Sequence, residues 1–170
     1  MVSNNFCTIR FVKTHPTAKL PARNHSNIKI TMTDVSNKDN KREVEMFGTH
    51  DSGFDMFCCE AATIPAKGSA VVPVGLKLAY IEPGYWIKIE SRSGLGFKHG
   101  LMCHPGIIDN GYRGDMGVKI YNLSDKDYSF NAGDKVCQLI VYPLIDMVIG
   151  EAEETETSHR GEKGFGSSGK

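Results

Sequence analysis

The sequence predicts an all-β domain of sandwich or jelly-roll type. Short runs rich in β-branched or alternating apolar residues recur along the chain, and Gly, Pro, Asn and Asp punctuate them. No sustained helical periodicity competes with them. The first expected strand covers residues 8–12, where Ile9 and Phe11 alternate with Arg10. A long run over 70–80 ends near the turn signal Pro83-Gly84, and residues 85–90 resume the alternation beyond it. Residues 117–122 and 135–142 complete the set, the last following the turn signal Ala132-Gly133-Asp134. This spacing suits two packed sheets.

Two regions depart from the pattern. From 24 to 49 the chain turns polar, with Asn37, Lys38, Asp39, Asn40, Lys41, Arg42 and Glu43 in succession, which is poor core material. We expect an exposed excursion there, a solvated loop or hairpin able to carry a contact with a protein partner. Beyond Gly150 an acidic stretch over 151–156 leads into a Gly/Ser-rich end over 160–170. Residues 1–150 are therefore expected to form one β domain, and 151–170 an arm that is mobile without a ligand.

A chain of 170 residues with 40% hydrophobic content fits one domain with a modest core. Lys plus Arg balance Asp plus Glu at 20 each, so no global field draws it to nucleic acid or to an anionic membrane, and neither is expected as a partner. Five cysteines without CxxC spacing point to reduced thiols. Neither a signal-like apolar core in the first ten residues nor an apolar run near the roughly 20 residues of a membrane span is present. The expected setting is soluble and cytoplasmic, or otherwise intracellular.

Three stretches carry chemistry. Gly106-Ile107-Ile108-Asp109-Asn110-Gly111-Tyr112-Arg113-Gly114 sets an aspartate after an apolar run and before a tight turn. Two readings stay open: a carboxylate displayed at a hairpin, or an ordinary turn built from Asx residues. Glu90-Ser91-Arg92-Ser93-Gly94-Leu95-Gly96 places a cation and two hydroxyls beside glycines at a strand end, where backbone amides can face a phosphate. Gly164-Phe165-Gly166-Ser167-Ser168-Gly169-Lys170 has phosphate-loop spacing but no Ser/Thr-led helix after it, which argues against a P-loop fold and leaves local donors, with Arg160 nearby. Phe165, an aromatic in a polar tail, suggests stacking on a ligand. His99, Cys103 and His104 lie close in sequence but fit no paired zinc motif, so we expect packing and polar roles for them.

Taken together, these stretches resemble the trimeric dUTPase family. Five blocks occur in the family's order: Ser52-Gly53-Phe54-Asp55-Met56, Ser91-Arg92-Ser93-Gly94-Leu95, the run from Gly106 to Gly114, Gly133-Asp134-Lys135-Val136-Cys137-Gln138-Leu139-Ile140, and the run from Arg160 to Gly169. Lys19-Leu20-Pro21 resembles the family's opening segment, so the polar region looks inserted after it. The resemblance implies a distorted jelly roll, the β-clip fold of dUTPases, with a flexible C-terminal arm. It also implies hydrolysis of dUTP to dUMP and pyrophosphate, which limits uracil incorporation into DNA and supplies dUMP for dTMP synthesis.

The roles it implies can be taken residue by residue. Asp109 would activate the water that attacks the α-phosphorus. Arg92, Ser93, Gly94 and Gln138 would steady the phosphates, and Arg160, Gly166, Ser167 and Ser168 would close over them. Tyr112 would pack beneath the deoxyribose, leaving no room for a 2′-hydroxyl. Backbone groups from Cys103 through Gly106 to Ile108 would read uracil, and Phe165 would lie over its ring. Asp55 would support Arg92 or a metal-bound water. Mg2+ would bind through substrate phosphates and water, with no direct protein ligand. A homotrimer would share each site. The related dCTP deaminases place a glutamate where this chain has Lys119, and a lysine cannot take that carboxylate's part in proton transfer.

Overall fold

Apolar residues at alternate positions can all face one layer only if the backbone is extended, and the long runs obey this rule. The computed structural model describes residues 7–23, 25–33, 41–159 and 161, with the backbone alone for 25–33 and 41–50. Along the chain run β1 (Ile9–Lys13), β2 (His25–Thr33), β3 (Lys41–His50), β4 (Phe54–Phe57), β5 (Ala62–Ile64), β6 (Ser69–Ile81) and β7 (Tyr85–Glu90). A helix of about two turns, α1 (Ser93–His99), the one helix among the described residues, precedes β8 (Leu101–Cys103), β9 (Gly106–Ile108), β10 (Asp115–Asn122), β11 (Tyr128–Phe130) and β12 (Lys135–Pro143).

Two antiparallel four-stranded sheets form the body, in the orders β1-β6-β10-β8 and β4-β12-β7-β9. In β6 the buried residues Val72, Val74, Leu76 and Leu78 alternate, and in β10 Met116, Val118 and Ile120 do the same. Ile87 and Ile89 of β7 and Leu139 of β12 join them in one core shared by both sheets. In β12 the pairing with β4 shifts register between Lys135 and Cys137, and both Val136 and Cys137 are buried. The one asparagine buried among the described residues, Asn122, is satisfied: its Nδ2 donates to the carbonyls of Ile64 (3.1 Å) and Lys126 (2.8 Å), and its Oδ1 accepts from Ser124. A β5–β11 ribbon closes that end.

All five strands expected from the alternation are present, with boundaries within a residue or two. The polar stretch is a hairpin in which β2 pairs with β3, with Ile28 opposite Met46 and Ile30 opposite Val44. Its alternate apolar positions share one face of a ribbon too sparse to read as a core strand. Three-residue strands such as β5, β8, β9 and β11 are too short to show a period. Among the described residues no helix is long and apolar enough to cross a membrane.

Candidate functional site

The order β4-β12-β7 lines up three polar residues, since Gln138 of β12 pairs with Asp55 of β4 on one side and with Glu90 of β7 on the other. Asp55 is 6% exposed, so its charge needs partners. It has two. Arg92 donates from Nε to Oδ1 at 3.0 Å, and Lys135 reaches Oδ2 at 2.7 Å. Arg92 also extends Nη1 toward the Lys135 carbonyl at 3.5 Å. The guanidinium is thus held at its Nε edge and remains partly exposed, with an arginine's further donors available for phosphate oxygens. Gly53 lies against Gln138: a Cβ at that glycine would come within 2.9 Å of the Gln138 Cβ.

The segment after Arg92 belongs to none of the expected strands and is helical: residues Ser93–His99 form α1, and the amides of Leu95 and Gly96 donate to the Arg92 carbonyl at 3.1 and 3.2 Å. Leu95, the helix's one buried residue, plugs into the core and wins over the loop-forming tendency of Gly94 and Gly96. Ser93 and Arg92 line a groove with Gly96, Phe97, Leu101 and Met102.

A second cavity, of about 250 Å3, lies against β9 and β10. Gly106, Ile108 and Tyr112 line it together with His104, Met116 and Lys119. Tyr112 is fixed at its tip, where Oη donates to the Asp115 carbonyl at 2.9 Å, and its ring lies over Gly114, at which an added Cβ would come within 2.7 Å of Cζ. His104 is held by its backbone, donating to the Lys119 carbonyl at 2.8 Å, and its ring meets Tyr121 edge-on. His99 instead packs on Tyr128. Lys119 carries its ammonium 5.6 Å from the centre of the Tyr121 ring.

Asp109 directly follows β9 and sits exposed between two residues of this cavity wall, Ile108 and Tyr112. Its backbone carbonyl accepts from the Tyr112 amide at 3.0 Å, while no hydrogen bond or ion pair engages its carboxylate among the described residues. Cys103 is 4% exposed, and its thiol is inside the core. Ser91 holds its backbone, the Cys103 amide donating to Oγ at 2.9 Å. A hydrogen bond with Cys103, reinforced by burial, pushes the Cys137 thiol well above the ordinary range and lowers that of Cys103. All five cysteines are unbridged.

Within one chain the expected residues therefore form two groups. Arg92 joins Asp55, which pairs with Gln138, and shares a groove with Ser93, whereas Gly106, Ile108, Tyr112 and Asp109 gather at the second cavity. Arg160, Phe165, Gly166, Ser167 and Ser168 lie outside the described residues. Sequence reasoning missed Lys135 and Asn110 as supports. Lys135 stands three residues before Gln138 in a quoted block, but only the sheet order shows that it meets Asp55.

A family model described as dUTPase matches residues 44–169. The deoxyuridine 5′-triphosphate nucleotidohydrolase of Wolinella succinogenes is 36% identical over 164 residues, covering 95% of this chain and 94% of that protein. The protein of the same name from Candida albicans is 39% identical over 121 residues, 70% of this chain and 76% of its own. Among solved structures, a variant of the Staphylococcus bacteriophage 80alpha dUTPase with dUpNHpp superposes with a TM-score of 0.74 at 26% identity, covering 95% of this chain and 98% of that one. A variant dUTPase from phage phi11 of S. aureus, solved with details of the coordination of a structural Mg(II) ion, superposes at 0.67 with 26% identity over 88% of this chain and 99% of its own.

Proposed function

The chain belongs to the dUTPase family, and from that premise we propose that it hydrolyses dUTP to dUMP and pyrophosphate with Asp109 as general base. The observation that carries the reading is the Asp109 carboxylate itself, exposed and unengaged among the described residues at the rim of a cavity walled by Tyr112. Water attacks the α-phosphorus as Asp109 takes its proton; the new bond is P–O from water, and the bond to the α,β-bridging oxygen breaks as pyrophosphate leaves. Phosphoryl transfer asks the protein mainly for positioning and charge neutralisation. Arg92, its Nε edge tethered by Asp55, and Ser93 and Gln138 meet the phosphate chain, and Arg160, Gly166, Ser167 and Ser168 complete that contact. Tyr112, braced against Asp115 and Gly114, sets the floor of the sugar pocket and leaves no space for a 2′-hydroxyl. Backbone groups between Cys103 and Ile108 read the uracil edge, and Phe165 covers the ring.

Both carboxylate oxygens of Asp55 are committed to cations, and no group of three or more His, Cys, Asp or Glu among the described residues is arranged to hold a metal ion. These residues fit an Mg2+ that keeps its waters and takes its remaining ligands from substrate phosphates. When bound it neutralises phosphate charge. The division of the expected residues into two groups supports a homotrimer in which neighbouring subunits complete each site. Leu144, Ile145, Met147, Val148 and Ile149, all exposed after β12, support it further, because a lone soluble chain rarely displays such an apolar run.

Product analysis tests the reading. With dUTP, dUMP and pyrophosphate should form in equal amounts, and with dCTP no ammonia should appear. Ammonia from dCTP would establish the deaminase alternative, which Lys119 on the cavity wall disfavours.

A further inference from the structure

We infer that Asn110 is a positioning residue for Asp109, clamping the base's loop onto the turn between β6 and β7. The inference rests on the reading of Asp109 as the base. Asn110 Nδ2 donates to three backbone carbonyls of that turn: Ile81 at 3.4 Å, Glu82 at 3.0 Å and Tyr85 at 3.1 Å. An amide nitrogen carries two hydrogens, so three acceptors occupy both, and they fix which end of the amide faces them because Oδ1 cannot pair with a carbonyl. An ordinary Asx turn former bonds within its own loop, two residues on. Asn110 instead reaches 25 to 29 residues back along the chain.

The turn it grips is itself anchored. Glu82 donates its amide to the Thr8 carbonyl at 3.0 Å and accepts the Thr8 amide on Oε2 at 3.0 Å. The Gly84 carbonyl accepts from the Leu144 amide at 2.7 Å. Gly84 takes φ +84, a left-handed conformation that suits glycine and closes the turn tightly. On the loop side, the Asn110 carbonyl accepts from Arg113 Nη1 at 2.7 Å, and the same nitrogen donates to the Tyr112 carbonyl at 2.8 Å. The Asp109 carboxylate has no such contact among the described residues. Its direction is set by its backbone, and Asn110 is the next residue's tie to the sheet.

Steady-state kinetics on N110A, with dUTP as substrate, tests this. A misplacement of about 1 Å costs on the order of 100-fold in rate, so kcat should fall about 10- to 100-fold. KM, and binding of the non-hydrolysed analogue dUpNHpp, should stay within about twofold, since the phosphate contacts are elsewhere and Tyr112 keeps its own bond to the Asp115 carbonyl. N110S, which keeps a shorter donor, should recover part of the loss and serves as the test if N110A fails to fold. Within D109N, adding N110A should cause no further loss of residual turnover, because a positioning residue acts through the group it positions. Wild-type kcat in N110A beside an inactive D109N would overturn the positioning role alone, as would an equal loss in both backgrounds. Wild-type turnover in D109N would instead remove Asp109 as the base, and the premise with it.

Discussion

Replacing Asp55 by Asn removes one charge from a place where two cations depend on it. At about 3 Å and an effective dielectric constant of about 20, each cation attracts the carboxylate by about 5 kcal/mol before desolvation is counted. Removing one partner of a fully buried pair costs about 3–5 kcal/mol. Asp55 is buried, but the side chains of Arg92 and Lys135 are 29% and 39% exposed, so water takes up part of their charge. A loss of about 2 kcal/mol results, which for a domain of this size lowers Tm by about 4–8 °C at fixed protein concentration. Arg92 also loses its charged tether. A charge-assisted hydrogen bond contributes about 1.5–3 kcal/mol, so kcat/KM for dUTP should fall about 10- to 100-fold. Differential scanning calorimetry and initial-rate measurements read the two effects. An unchanged Tm with unchanged kcat/KM would refute the claim that this ion cluster holds Arg92.

Three further outcomes follow from the same geometry. Gly114→Ala should push the Tyr112 ring off its floor and break its bond to Asp115; losing about 0.5–1.5 kcal/mol there should cut the dUTP-over-UTP preference in kcat/KM about 2- to 10-fold. Truncation of residues 160–170 should cripple turnover while leaving the number of subunits in the assembly unchanged in native mass spectrometry, and a fully active truncated protein would remove the tail from the site. Alkylation at pH 8 should modify Cys7 first, because it is half-exposed and the other four thiols are buried; burial raises Cys7 as it raises Cys58 and Cys59, so access and not thiolate fraction sets the order. In urea all five should react.

Five strands were legible because each sustains an apolar alternation, whereas the longer β2 and β3 lie in a stretch too polar to read as core strands. The short strands were not, since β8 and β9 hold only three residues each and owe their place to pairing with β10 and β7. The helix α1 was not legible either, because what holds it is Leu95 buried against the core, a tertiary contact that local composition does not show. In the site, Arg92, Tyr112 and Asp109 could be named from block order. Their supports could not, because Lys135 reaches Asp55 across a sheet and Asn110 reaches carbonyls more than 20 residues away. Asp109 taken alone read more readily as an Asx turn former than as a base. Asn110, beside it, is the residue of the pair whose side chain does bond to backbone, though across the fold and not within its own turn.

The most direct test of the account is pyrophosphate release from dUTP by Asp109→Asn, measured together with dUTP binding on the assembled protein. The account predicts turnover reduced by at least about 100-fold, the lower end of the range that a positioned base supplies, with dUTP still bound. Wild-type turnover in that variant would contradict it.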